Sequence, residues 1–229
     1  MSVKLILLVP FLMAAFVMPA GAQEAPKKKL NVAIVVHEGV ELLDFAGPGE
    51  VFAAAGGGRA FNVYTVAPQA KPLTSQRFLS VTPRYSVADC PTPDILVIPG
   101  GNTRVLLQDK EFMAWAKKTV PQTQITLSVC TGAFVLAELG LLDDAEATTH
   151  FGSISFLKSK HPKVKVRENI RFVDNGKIIT SAGVSAGIDS SLHVVARLCG
   201  LETAQKTARY MEYRWEPVEA TRKLEAKPK

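Results

Sequence analysis

The chain has 229 residues, 47% of them apolar, and a formal charge of +6. That length suits one domain with a sizeable core. The basic excess gathers in Lys27-Lys28-Lys29, in Lys158 to Arg171 and from Arg222 to Lys229, without interleaved aromatic residues, and few residues follow Trp215. Direct nucleic-acid binding is therefore not expected, and these runs are read as solvated charge.

Met1 to Ala22 opens with Lys4, continues through the apolar run Leu5 to Met18 and ends in Pro19-Ala20-Gly21-Ala22. This is the order of a bacterial Sec-type secretory signal, cut between Ala22 and Gln23, and it predicts a periplasmic or secreted protein. An uncleaved anchor is the alternative, but about 14 apolar residues interrupted by Pro10 fall short of the roughly 20 needed to span a bilayer. No later segment is long and apolar enough to cross a membrane, so no span is expected after cleavage. Residues 23–29 then read as a flexible linker, 30–216 as the domain and 217–229 as a charged tail.

Within the domain, apolar runs alternate with helical patterns, which predicts a mostly parallel sheet covered on both faces. Asn31 to Val36 is the first expected strand, followed by a helix from Leu42 to Ala55 closed by Gly56-Gly57-Gly58. Phe61 to Val66 is the second strand, and Ile95 to Pro99 is a strand ending at Gly100-Gly101. Lys110 to Thr119 reads as helix, and Ile125 to Val129 as a strand running into Cys130 and a short helix stopped by Gly140. Ile170 to Val173 and Lys177 to Ser181 form a hairpin around Asp174-Asn175-Gly176, and Ser185 to Leu198 is a long helix.

Cys130 carries the most chemical information, because a strand-to-helix turn projects a side chain out of a sheet and the helix start favours thiolate over thiol. A buried, inert cysteine is the competing reading. Asp44, flanked by Leu43 and Phe45 after the first strand, is either a helix cap or a carboxyl that holds the thiol proton. Gly100 and Gly101 allow backbone to approach a substrate. The cysteine count is odd, Cys90, Cys130 and Cys199; a Cys90–Cys199 bridge would leave Cys130 free, though spacing cannot establish one. No pair has zinc-like or CxxC spacing, so neither a structural metal nor a thioredoxin-type site is expected.

Five segments in order resemble the ThiJ/PfpI superfamily: Leu43-Asp44-Phe45-Ala46-Gly47-Pro48 with Glu50-Val51-Phe52; Asp94 through Gly101; Ser128-Val129-Cys130-Thr131-Gly132-Ala133; Ala147-Thr148-Thr149-His150; and Ala182 to Asp189. The resemblance runs from about Leu30 to Trp215 and is nearest to isocyanide hydratases and to the sensing domains of AraC-type regulators. It implies a flavodoxin-like three-layer α/β sandwich of the class I glutamine amidotransferase-like kind, and a homodimer. It also implies a nucleophilic Cys130 held by Asp44 with Thr131 beside it, and an anion-stabilising pocket from backbone amides near Gly100, Gly101 and Thr131. His150 matches the family's histidine near the site, or donates to backbone and packs beneath the pocket. Asp189 reads as a helix cap.

One departure argues against a peptidase. Members with a Cys-His-acid arrangement have histidine directly after the cysteine, whereas Thr131 stands here and cannot serve as a general base near neutral pH. The expected activity is hydration of a small electrophile by Cys130 and Asp44, a hydro-lyase chemistry needing no cofactor. Ligand binding without turnover, thiol-based redox sensing, and glyoxalase or deglycase activity stay open at this point.

Overall fold

The computed structural model describes residues 28–217. The secretory signal, most of the linker and all but the first residue of the tail lie outside the described residues. In chain order the elements are β1 (Leu30–Val35), α1 (Leu42–Gly58), β2 (Phe61–Ala67), the hairpin β3–β4 (Leu73–Ser75 and Leu79–Val81), β5 (Tyr85–Ser86) and β6 (Ile95–Ile98). They continue with α2 (Arg104–Gln108), α3 (Lys110–Thr119), β7 (Ile125–Val129), α4 (Ala133–Glu138), β8 (Glu146–Ala147), α5 (Ile154–Lys160) and β9 (Lys165–Val166). The last are β10 (Phe172–Asp174), β11 (Ile178–Ser181), α6 (Ala186–Cys199) and α7 (Leu201–Tyr210).

Seven strands form one sheet in the order β10-β11-β7-β6-β1-β2-β5. Every pairing in it is parallel except the β10–β11 hairpin at one edge. Parallel strands need covering on both faces, which is why β6 and β7 are buried along their whole lengths. The pleat divides that burial between two cores. Ile95 and Val97 point with Val32 and Ile34 toward Val51 and Phe52 of α1, Leu192 and Val195 of α6, and Ala204 of α7. Leu96 and Ile98 point with Ala33 and Val35 toward Phe112 and Ala116 of α3, Leu136 of α4 and Leu157 of α5. The result is the three-layer flavodoxin-like arrangement expected from the sequence.

Small residues bring α1 and α6 together above β7. A Cβ on Gly47 would stand 2.9 Å from Cγ1 of Ile188, and one on Gly187 would stand 3.0 Å from Cγ1 of Val129. The helix predicted from Leu42 to Ala55 leaves helical geometry at Ala55 itself, whose ψ is 136°, and its extension to Gly58 passes through left-handed Gly56 and Gly57. No disulfide joins Cys90 to Cys199: Cys199 packs against the α1/α6 core and Cys90 against the opposite one, with the sheet between them. No helix among the described residues is long and apolar enough to cross a membrane.

Candidate functional site

The chain leaves β1 toward β2 on one side and returns to β6 on the other, so the strand order reverses between β1 and β6. Ligands in open α/β sheets bind outside the carboxyl ends of strands at such a reversal. Here that edge gathers Asp44 from the first turn of α1, Gly100 and Gly101 from the end of β6, and Cys130 from the end of β7.

Cys130 begins a 3-10 turn between β7 and α4, with a left-handed φ of +57°. A non-glycine residue in that region costs on the order of 1–2 kcal/mol, so its surroundings must hold it there. Two bonds do so: its amide donates to the carbonyl of Ala182 at 3.2 Å, and its carbonyl accepts from Thr149 Oγ1 at 2.8 Å. Gly132 lets the turn press onto β6, since a Cβ there would stand 2.0 Å from the Ile98 carbonyl oxygen. The side chain is only 6% exposed.

Asp44 is fully buried. Its Oδ2 accepts from the Gly100 amide at 2.9 Å and its Oδ1 from the Val184 amide at 3.0 Å, and the carboxylate also takes the hydrogen bond of the Cys130 thiol. The capping role weighed for Asp44 is therefore not the one it has; Glu41 occupies the cap position of α1, without a side-chain bond. Val184 supplies its amide from a φ of +54°, a strained conformation for a β-branched residue. Two strained backbones thus converge on one carboxyl.

Burial pushes the Asp44 carboxyl up to about 6 against the pull of the Gly100 bond, and the nearby Glu41 charge raises it further. Burial also pushes the Cys130 thiol up, to about 12, with the Asp44 charge next in weight. The helix start was expected to favour thiolate; in the structure, desolvation and the adjoining carboxylate outweigh it, although the Thr131 amide and hydroxyl act in the thiolate's favour. The resting pair is a thiol donating to a carboxylate. A proton on Asp44 would remove the repulsion that adds to burial in holding the thiol up.

The predicted amide pocket is assembled in altered form. Gly100 does not offer its amide to a substrate, because Asp44 occupies it. A Cβ on Gly100 would stand 2.7 Å from Thr131 N and Oγ1 and 2.8 Å from Asp44 Oδ2, so this position admits no side chain. Gly101, at φ +99°, bridges to Val40, but the bonds of that bridge run through Glu41 N and Asn102 N and leave the Gly101 amide outside it. Thr131 Oγ1 donates to the Gly101 carbonyl at 3.3 Å.

His150 lies beside the site without entering the Asp44–Cys130 pair. Its Nδ1 accepts from the Gly152 amide at 3.2 Å, where donation to backbone was one expectation, and its ring packs on Gly183, whose Cβ would come within 2.3 Å of Cδ2. Asp189 is not a cap either: it pairs with Arg171 and accepts from Tyr213 Oη at 3.0 Å. Sequence reasoning assigned no role to Val184, Thr149 or Ala182, whose parts here are played by a backbone amide, a hydroxyl and a backbone carbonyl. Their presence in the quoted Thr-Thr-His and Ala-Gly-Val segments was the available signal. Among the described residues no group of three or more His, Cys, Asp or Glu side chains could hold a metal ion. A cavity of about 670 Å³ between the Gly56–Arg59 end of α1 and α7 contains none of these candidate residues.

The fold and the cysteine-bearing elbow define a flavodoxin-like protein of the class I glutamine amidotransferase-like kind. The chain belongs to the DJ-1/PfpI family, whose model matches residues 30–197. It is 31% identical over 185 residues to an isonitrile hydratase of Pseudomonas putida, covering 80% of this chain and 78% of that one. It is also 24% identical over 146 residues to the HTH-type transcriptional regulator GbdR of Pseudomonas aeruginosa, covering 64% of this chain and 40% of the regulator. Among solved structures, a ThiJ/PfpI family protein from Pseudomonas syringae superposes with a TM-score of 0.75 at 28% identity, covering 88% of this chain and 84% of that one.

Proposed function

We propose that this protein is a cysteine-dependent hydratase of small electrophiles, with isocyanides as the substrate class. The observation that carries the reading is the buried Asp44 carboxyl, held by two amides and bonded to the thiol of Cys130. The similarity to an isonitrile hydratase supports the choice of substrate.

The steps need only water and the chain's own groups. Asp44 takes the thiol proton as Cys130 Sγ bonds to the terminal isocyanide carbon, and returns it to that carbon, giving a thioimidate. Water then adds across the carbon–nitrogen double bond, with Asp44 passing a proton from the oxygen to the nitrogen. The carbon–sulfur bond breaks as the remaining hydroxyl proton moves through Asp44 to sulfur. The product is an N-substituted formamide, and thiol and carboxylate are restored. A carboxyl near pKa 6 suits both directions of this transfer near neutral pH. The Gly101 and Thr131 amides are the groups proposed to face negative charge on the adduct.

The test mixes the purified protein with a simple alkyl or aryl isocyanide and follows the formamide, with Cys130→Ala alongside. Turnover lost in the variant supports the reading; no turnover by the wild-type protein refutes it. Similarity to part of a transcriptional regulator favours a second reading, ligand binding without turnover, which the same experiment separates if a saturable complex forms without product. We also propose export, from the pattern of residues 1–22, and a homodimer, from the family likeness. A mature N-terminus at Gln23 in a bacterial periplasmic extract, and a sedimentation mass of two chains, are the expected findings.

A further inference from the structure

Beside the thiol, on the side away from α1, a cavity of about 440 Å³ opens between α2, α4 and α5. That volume is typical of sites that enclose a small organic molecule. Thr131, whose amide and hydroxyl favour the thiolate form of Cys130, also lines the cavity and so connects it to the candidate site. The floor is apolar and aromatic: Leu107, Phe134 and Phe156 line it, with the two rings 5.5 Å apart at 51°. Phe156 is 59% exposed, so much of its apolar ring is left uncovered.

The remaining walls are charged. His161 Nε2 stands 3.8 Å from Glu138 Oε2, so the one carboxylate among the lining residues already faces a partner. Arg104 of α2 and Lys160 of α5 also line the cavity and have no ion-pair partner among the described residues. An apolar floor under two unpaired cations suits a ligand with an apolar body and a terminal anion.

We propose that this cavity receives the substituent of the substrate, and that the substituent is an apolar ring or chain ending in a carboxylate. The ring stacks over Phe134 and Phe156, the carboxylate meets Arg104 and Lys160, and the reactive carbon extends past Thr131 to Cys130. The inference rests on the hydratase reading only for the reactive end of the molecule.

The test compares kcat/KM for methyl isocyanide, benzyl isocyanide and a para-carboxylated benzyl isocyanide in the wild-type protein, Phe156→Ala and Arg104→Gln/Lys160→Gln. Ratios are taken within each protein, so unequal folding of the variants cancels. Wild type is expected to favour benzyl over methyl by about tenfold or more. It should favour the carboxylated compound over benzyl by about threefold, the scale of an exposed ion pair. Phe156→Ala should collapse the first ratio and the double variant the second. Ratios near one in wild type, or untouched by the substitutions, overturn the proposal while leaving the hydratase reading standing.

If no isocyanide is turned over, the hydratase reading fails and binding of para-toluate and para-toluamide, followed by ligand-observed NMR, decides the cavity's role. Tighter binding of toluate, weakened in both variants, supports the anionic substituent. Equal binding, or none, overturns it.

Discussion

Replacing Asp44 with Asn changes the shape of the site little but removes the charge and the carboxylate acceptor that hold the Cys130 thiol at about 12. Burial, the largest cause of that elevation, remains, so the thiol should fall only part of the way toward its ordinary 9.0. For each unit of fall the thiolate fraction rises about tenfold. Its intrinsic nucleophilicity toward a disulfide drops about threefold for a Brønsted coefficient of about 0.4–0.5. The net expectation is a gain of about threefold per unit. Asp44→Asn should thus react faster than wild type with an aromatic disulfide reagent at pH 8, even as the proposed isocyanide turnover is lost with its proton carrier. The assay follows the mixed disulfide on the Cys130 peptide by mass spectrometry, which separates it from Cys90 and Cys199. Because the Asn amide nitrogen must face the Gly100 or Val184 amide, the variant should also lose about 1–3 kcal/mol of stability, so rates are compared well below its Tm. An unchanged or slower reaction in a natively folded variant would refute the claim that Asp44 suppresses the resting thiolate.

The same carboxyl should make stability depend on pH. Its folded value near 6 lies above its ordinary 3.8, so the folded state binds the proton more tightly; the contribution is fully present below about pH 4 and lost as pH rises through 6. About two units correspond to about 3 kcal/mol, which urea unfolding of wild type against Asp44→Asn at pH 4 and pH 7 should reveal as a falling difference. Gly100→Ala should cost about 1–3 kcal/mol by thermal denaturation and end the proposed turnover, because the new methyl collides with both Thr131 and Asp44. Gly132→Ala should be worse, since its methyl meets the backbone of β6, and a Tm within a few degrees of wild type would contradict the packing described. Val184→Gly relieves a left-handed β-branched residue worth about 1–2 kcal/mol while adding about 0.5–1 kcal/mol of chain entropy, so its Tm should stay near that of wild type. A large loss would mean the Val184 side chain matters more than its amide.

Elements buried on two faces were the legible ones. Ile95 to Ile98 and Ile125 to Val129 announce themselves as continuous apolar runs because both sheet faces are covered. The β3–β4 hairpin was missed because its turn carries no glycine or asparagine signal: Gln76 and Arg77 take the positive φ values themselves. The α7 helix was missed because the residues it buries, Ala204, Thr207 and Ala208, are small and weakly apolar, so its amphipathic spacing is carried mainly by the charged residues of the opposite face.

The sequence by itself determined the α/β class, the turn that carries Cys130 and the presence of an acid at Asp44, since each depends on residues adjacent in the chain. Only the tertiary structure decided what those groups are. The amides that hold Asp44 come from Gly100 and Val184, 56 and 140 residues away, and nothing local to Asp44 selects them. The protonation of the pair was likewise beyond the sequence. A helix start favours thiolate locally, but the state of Cys130 follows from how deeply the assembled sheet edge buries it and which charge it buries alongside, quantities that exist only once the layers have closed.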